Sequence, residues 1–317
     1  TGAEVMDKLL ANADVFITNT RTKSLKKLGL DWETLHAKYP RLIMGHGLGY
    51  GKRGAEKDDP GFDVTCYMAR GGVFGTTVNR GDGYLQASMF LAAGICAAIV
   101  GRATTGEGDY VTCALQHAGV FTLMTGMISA QYGNPYPKSR LEVICPFNNV
   151  YMTGDGKYVA MCDPEYDRDY NKIMKLIGRD DLVDDSKYIN CVKMNEAGLN
   201  AEVVGVMDDA LAKMTCTEAL TLFKNAGIPI ELCQTPLDVY EDQNVWDNDY
   251  LVKIKYPESE RNIPTVPIQF ESQPVPDYTP TGMLGSATVE VMKDLGYTDE
   301  QIEAAIADGS VCGATSL

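Results

Sequence analysis

Apolar residues recur at helical spacing from the first positions of the chain, where Val5, Met6, Leu9 and Leu10 mark one face of a helix over residues 3–12. The run Asp14-Val15-Phe16-Ile17-Thr18 follows with the length and apolar density of a short buried strand. Two more helical stretches are predicted around residues 25–28 and 32–37, and Asp31 stands where an N-cap carboxylate is wanted. Arg41-Leu42-Ile43-Met44-Gly45 reads as a second strand, ending in the glycine-rich turn Gly45-His46-Gly47-Leu48-Gly49-Tyr50-Gly51. Helix, strand, helix, strand in this order predicts parallel α/β layering. Ligands of such sheets bind at the carboxyl ends of the strands, which here are Asn19-Thr20-Arg21 and the glycine turn.

Residues 85–103 form a long apolar helix dense in Ala and Gly, suited to close packing against another helix. The polar turn at 102–109 leads into Tyr110-Val111-Thr112-Cys113 and a second long apolar helix reaching about Tyr132, and residues 134–148 read as a linker. The pattern then changes. Val150-Tyr151-Met152 and Tyr158-Val159-Ala160-Met161 flank Gly154-Asp155-Gly156, a hairpin signal. Helices are predicted at 167–177, 199–214 and 217–226, a strand at 228–232, and two last helices at 287–295 and 299–307, closed by Gly296 and Gly309. The predicted organisation is a large α/β domain at 1–148, a small α+β domain at 149–275, and a C-terminal segment at 276–317 that returns to the large domain.

Composition narrows the classes of function. The 317 residues are 45% hydrophobic, and 28 basic against 43 acidic residues leave a net charge of −15. That surface repels nucleic acid and anionic lipid, so neither is expected as a partner. No stretch approaches the length needed to span a bilayer and no secretory leader is visible, so a cytoplasmic location is expected. The nine cysteines are scattered singly without a CxxC pair, which fits reduced thiols better than a metal cluster or a disulfide framework. Thr1-Gly2-Ala3 opens without Met and runs straight into the first helix, as if the chain began inside a domain.

Candidate chemistry is sparse. The glycine turn lets backbone N–H groups approach an anion, but it lacks the Walker lysine–hydroxyl pair and the dinucleotide fingerprint. Arg21, Lys23, Lys26 and Lys27 are a basic cluster beside a strand end in an otherwise acidic chain, fit either for ligand phosphates or for a solvated helix face. His36, His46 and His117 have no metal-ligand or triad spacing and read as structural. Asp63, after Pro60-Gly61-Phe62, is an expected N-cap rather than a catalyst. Asp82, in Arg80-Gly81-Asp82-Gly83 at the mouth of the long helix, could act as a nucleophile, although turn chemistry accounts for Gly-Asp-Gly equally well.

Together these segments resemble the class III CoA transferases of the CaiB/BaiF type. The resemblance rests on Ala13-Asp14-Val15-Phe16-Ile17-Thr18-Asn19, Lys27-Leu28-Gly29-Leu30, Tyr39-Pro40-Arg41-Leu42-Ile43 and Pro60-Gly61-Phe62-Asp63. It continues through Leu91-Ala92-Ala93-Gly94 and Thr105-Gly106-Glu107-Gly108-Asp109 to Leu295-Gly296-Tyr297-Thr298-Asp299-Glu300-Gln301-Ile302. Ala69-Arg70-Gly71-Gly72 and Ala130-Gln131-Tyr132-Gly133-Asn134 look most like members acting on 2-hydroxy acids and their enoates, such as phenyllactate and cinnamate, in amino-acid fermentation. The resemblance implies a doubly wound, Rossmann-like large domain, a smaller α+β domain and two chains interlocked as a homodimer. It implies coenzyme A or acyl-CoA as co-substrate, a small carboxylic acid as the other substrate, and no metal. The CoA contacts carry over to Asn19, Thr20, Arg21, Lys27, Gly47, Leu48, Gly49 and Tyr50. The implied chemistry passes through an aspartyl anhydride and an aspartyl-CoA thioester.

Three departures accompany the resemblance. The family begins with a strand–helix unit that has no counterpart here. Its aspartate lies ten residues before the helix glycine, a position held in this chain by Tyr84, with Asp82 two residues upstream and the segment 73–84 shorter than usual. The glycine run that formyl-CoA transferases carry is missing at 134–148, which argues against oxalate or formate. Two rivals remain: a non-catalytic acyl-CoA-binding paralogue, which Tyr84 would suit, and a 2-methylacyl-CoA racemase, whose proton-carrying His is replaced by Phe62.

Overall fold

Alternating helix and strand builds a parallel sheet at the start of the chain in the computed structural model, which describes residues 1–73, 82–133, 138–274 and 276–314. Helix α1 (Gly2–Asn12) leads to β1 (Val15–Thr18), α2 (Thr22–Leu28) and α3 (Trp32–Lys38) lead to β2 (Ile43–Leu48), and α4 (Asp82–Thr105) leads to β3 (Tyr110–Ala114). The strands lie in the order β1-β2-β3, all parallel, with Met44 opposite both Phe16 and Tyr110.

Helices pack on both faces of this sheet, and successive residues of β2 show why. Met44 is buried with Leu10, Leu25, Leu35 and Leu42 on the face of α1–α3. Gly45 points the other way, as alternation in a strand requires, and meets α4: a Cβ there would stand 2.6 Å from Ile95 Cδ1. Asp31 caps α3 as expected, accepting the Thr34 N–H at 3.3 Å and its hydroxyl at 2.8 Å. Gly29 closes α2 in the left-handed conformation, φ 68°.

Four expectations are corrected. Strand β2 continues to Leu48, so the glycine turn begins only at Gly49; pairing of Gly45–Leu48 with Val111–Ala114 holds residues that turn chemistry alone would release. Asp63 is the first residue of a π-helix, Asp63–Arg70, and is not its cap; the Thr65 hydroxyl instead serves both the N–H and the C=O of Phe62, each at 3.1 Å. The second long helix is two, α5 (Leu115–Thr122) and α6 (Met124–Gln131), parted at Leu123, whose ψ of 10° leaves the helical range. Finally, α4 has 24 residues and is long and apolar enough, by length and composition only, to cross a bilayer. It lies along β2 and β3, and its Gly94 admits close approach because a Cβ there would stand 2.7 Å from Val111 Cγ1.

The chain divides into two compact units, 1–137 with 281–317, and 138–280. In the second, β4 (Asn148–Met152) and β5 (Tyr158–Cys162) form the expected antiparallel hairpin, with Gly156 at φ 78° in its turn. Helices α7 (Tyr166–Leu176), α8 (Cys191–Glu196), α9 (Asn200–Leu211) and α10 (Cys216–Asn225) precede β6 (Ile230–Leu232), which pairs antiparallel with β5. Phe147, Tyr151, Met161, Ile173, Val204 and Phe223 centre its core. Short helices α11 (Pro236–Glu241) and α12 (Gln243–Asp247) lead to a hairpin of β7 (Leu251–Tyr256) and β8 (Ser259–Pro264). In the first unit, α13 (Thr288–Asp294) and α14 (Asp299–Ala307) pack on α1, with Val5, Met292, Tyr297 and Ile302 in one buried cluster.

Candidate active site

The three parallel strands open at their carboxyl ends onto a cavity of about 470 Å³. Thr18 and Asn19 from the end of β1, Gly47, Leu48 and Gly49 from the end of β2, and Cys113 and Leu115 at the end of β3 form its floor. Tyr84, Ala87, Ser88 and Leu91, at spacings of three and four along α4, supply one wall, and Gly61 and Phe62 another. The backbones of Gly49 and Gly61 touch: a Cβ on Gly49 would come within 2.9 Å of Gly61 Cα, and one on Gly61 within 2.7 Å of Cys66 Sγ. Both positions therefore need glycine for space, and the close approach shapes the mouth of the cavity.

A second cavity, of about 330 Å³, lies beside α2. Lys23, Lys26, Lys52 and Lys57 line it together with Asp31, Glu33, Asp58, Trp32, Met44 and Tyr110. Its aromatic wall is layered, with Trp32 stacked on Tyr110 (centroids 5.6 Å apart, planes 10° apart) and on His36 (4.4 Å), while Lys52 Nζ sits 5.4 Å over the Tyr110 ring. Four ammonium groups and the carboxylates of Asp31, Glu33 and Asp58 share this hollow, a small local excess of positive charge in a chain of net charge −15. Burial, and then the charge of Glu33, raises the Tyr110 phenol above its ordinary range and keeps it protonated.

His46 is fully buried between these features. Its Nε2 lies 2.8 Å from the Thr20 carbonyl oxygen and its Nδ1 2.7 Å from the Tyr110 hydroxyl. A carbonyl only accepts, so Nε2 carries the proton and Nδ1 accepts from Tyr110. Burial pushes the imidazole below its ordinary pKa and favours this neutral form, an effect partly offset by the Thr20 hydrogen bond.

The sequence-predicted residues separate into two groups. Asn19, Gly47, Leu48 and Gly49 meet at the strand-end cavity, and Tyr84 joins them. Asp82 is the first residue of α4, half-buried, one turn before the wall formed by Ala87 and Ser88 and outside the cavity lining; Arg80 and Gly81, quoted with it above, lie outside the described residues. Thr20 turns its carbonyl to His46, Arg21 is the exposed N-cap of α2, and Lys27 is exposed on that helix outside both linings. Tyr50 packs beside the buried cluster of Cys66, Tyr67 and Met68. Sequence reasoning missed Trp32, Lys52, Lys57 and Tyr110 as lining residues, while His46, read as structural, is fully buried with both ring nitrogens bonded inside the fold. Lys52 and Lys57 closely follow the glycine turn and could have been added to the basic cluster; Tyr110 carried no such signal, since only the pairing of β3 with β2 places it there.

Comparison with known proteins adds an independent line. The family model described as CoA-transferase family III matches residues 1–288. A cinnamoyl-CoA:phenyllactate CoA-transferase of Clostridium sporogenes is 40% identical over 315 residues, spanning 95% of this chain and 76% of that protein. A (R)-2-hydroxy-4-methylpentanoate CoA-transferase of Clostridioides difficile is 35% identical over 311 residues, spanning 95% of this chain and 77% of that protein. Among solved structures, a CAIB/BAIF family protein from Brucella suis superposes with a TM-score of 0.75 at 21% identity, over 92% of this chain and 78% of that one, a likeness of fold.

Proposed function

From the premise that this chain belongs to CoA-transferase family III and is a CoA-transferase, we propose that it moves CoA between a 2-hydroxyacyl- or enoyl-CoA and a small 2-hydroxy acid. The observation that carries this reading is the pair of cavities. One is an uncharged hollow at the strand ends, floored by backbone of Gly47–Gly49, for the acyl thioester. The other is ringed by Lys23, Lys26, Lys52 and Lys57 for the phosphates of CoA.

In this reading a carboxylate oxygen attacks the thioester carbonyl, the C–S bond breaks, and the CoA thiolate leaves a mixed anhydride behind. The thiolate then attacks the aspartyl carbonyl, releasing the first acid as its carboxylate and leaving an aspartyl-CoA thioester. The incoming acid's carboxylate attacks that thioester to form a second anhydride, and the thiolate takes the new acyl group and frees the aspartate. Asp82 is the proposed nucleophile; the N-terminal end of a 24-residue helix favours its charge. Backbone N–H groups of the Gly47–Gly49 segment are the proposed oxyanion donors. The proposed assembly is an interlocked homodimer, which the exposed apolar side chains Leu85, Val100, Phe121 and Ile128 on α4–α6 would suit, and the proposed location is the cytoplasm.

A second reading, an acyl-CoA-binding paralogue without transferase activity, is favoured by one observation: Tyr84 stands in the α4 wall of the cavity, while Asp82 lies outside the lining. Incubation with cinnamoyl-CoA and a panel of 2-hydroxy acids, followed by mass spectrometry of new thioesters and of the hydroxylamine-trapped aspartyl peptide, decides between them. Exchange that vanishes in Asp82→Ala, with the trapped mass on the Asp82 peptide, is expected. CoA binding without exchange favours the paralogue.

A further inference from the structure

His46 stands between the two cavities along both segments that frame them. On β2, Met44 lines the lysine cavity and Gly47 the strand-end cavity, with His46 between. On the β1–α2 connection, Asn19 lines the strand-end cavity and Thr22 the lysine cavity, with Thr20 between. The imidazole joins these midpoints through Nε2–H to the Thr20 carbonyl, and Nδ1 fastens the same ring to Tyr110, a wall of the lysine cavity. The ring is fully buried and both nitrogens are used, so it has no capacity left for a ligand.

We infer that His46 is a positioning residue for CoA binding, a strut that sets the strand-end cavity and the lysine cavity in register so that one extended thioester can occupy both. This rests on the proposed division of CoA between the two cavities. The chemistry is specific to a neutral imidazole: it is rigid, its two nitrogens point in opposed directions, and one donates while the other accepts. A methyl group at 46 would leave the Thr20 carbonyl and the Tyr110 hydroxyl without this link, and Tyr110 could then turn relative to Trp32, on which it stacks. A ligand filling only one cavity would not sense the loss.

The test compares binding of an S-alkyl-CoA thioether, which carries both the nucleotide and a group for the strand-end cavity and is the CoA ligand of this test, with binding of an acyl-pantetheine, which lacks the nucleotide, by calorimetry on the full chain. In His46→Ala the Kd for CoA is expected to rise about tenfold, while that for the acyl-pantetheine stays within about twofold. His46→Gln, which keeps an N–H for Thr20, should lose less, and Tyr110→Phe, which removes only the hydroxyl, should weaken CoA alone. These two variants stand in if His46→Ala does not fold. Unchanged CoA affinity in them, or equal loss for both ligands, overturns the inference. Lys26→Ala/Lys52→Ala separates it from its premise: undiminished CoA binding there removes the lysine cavity from the CoA site, whereas diminished binding there with unaffected His46 and Tyr110 variants removes the strut alone.

Discussion

The Tyr84 hydroxyl accepts a hydrogen bond from the backbone N–H of Asp63 at 3.1 Å, tying the first turn of α4 to the first residue of the π-helix. Two walls of the strand-end cavity are joined by this bond, since Tyr84 belongs to one and Phe62, next to Asp63, to the other. Tyr84 therefore has a place in the architecture of the cavity. Tyr84→Phe removes the acceptor and keeps the ring. It is expected to cost about 1 kcal/mol of stability, read from urea unfolding, as one hydrogen bond of a half-exposed group would. An unchanged midpoint would show that the link contributes nothing.

Gly49 and Gly61 press backbone against backbone, and neither substitution can be relieved by turning a side chain. Gly61→Ala places a methyl 2.7 Å from both Gly49 Cα and Cys66 Sγ. The expected loss is about 1–3 kcal/mol, with weaker binding of acyl-pantetheine because the cavity mouth must widen. Gly51→Ala is a contrasting case: its φ of 114° strains any side chain, yet nothing stands within 4 Å, so it should lower stability while leaving ligand affinity unchanged.

His46 makes stability depend on pH in a definite direction. Its folded pKa lies below the unfolded value of about 6.5, so the unfolded chain binds the extra proton first. Its contribution is complete above about pH 6.5 and declines as pH falls toward the depressed folded pKa. Tyr110, which hydrogen-bonds to it, stays protonated, and the Glu33 and Lys52 side chains lie around Tyr110. Thermal unfolding of wild type and His46→Gln between pH 7.5 and about 5.5 checks this. The wild type should lose more stability over that interval, and parallel curves would reject it.

Thr215 and Glu218 form a reciprocal cap at the start of α10: the Thr215 hydroxyl accepts the Glu218 N–H at 3.3 Å, and the carboxylate accepts the Thr215 N–H at 2.8 Å. Thr215→Ala should lower stability by about 1 kcal/mol, measured as a denaturant midpoint, without affecting CoA binding. Because this cap lies in the 138–280 unit, an accompanying loss of CoA affinity would contradict the placement of the CoA site in the other unit.

Local pattern carried most of the elements. The helices at 3–12 and 85–103 declared themselves by apolar density, Asp31 by cap chemistry, and the β4–β5 hairpin by Gly154-Asp155-Gly156. In the β7–β8 hairpin Val252, Ile254 and Tyr256 alternate with Lys253 and Lys255, a period-two signal that went unread, whereas the partner strand Ser259–Pro264 is mostly polar and carries little pattern of its own. The glycine segment 45–51 was read as a turn because glycine is locally permissive, yet neighbours on both sides kept it a strand to Leu48.

The site divides in the same way. Sequence by itself determined the parallel α/β plan and the strand ends where Asn19 and Gly47–Gly49 meet, because strand direction follows from alternation and ligands lie at carboxyl ends. It also carried the likeness to family III CoA-transferases. Only the tertiary structure decided that Tyr84 faces the cavity, that Lys52 and Lys57 join Lys23 and Lys26, and that a buried His46 binds Thr20 and Tyr110. These residues are far apart along the chain, and no local preference records their proximity. It comes from the register of β2 with β3 and from the face α4 turns toward the sheet, which long-range packing sets.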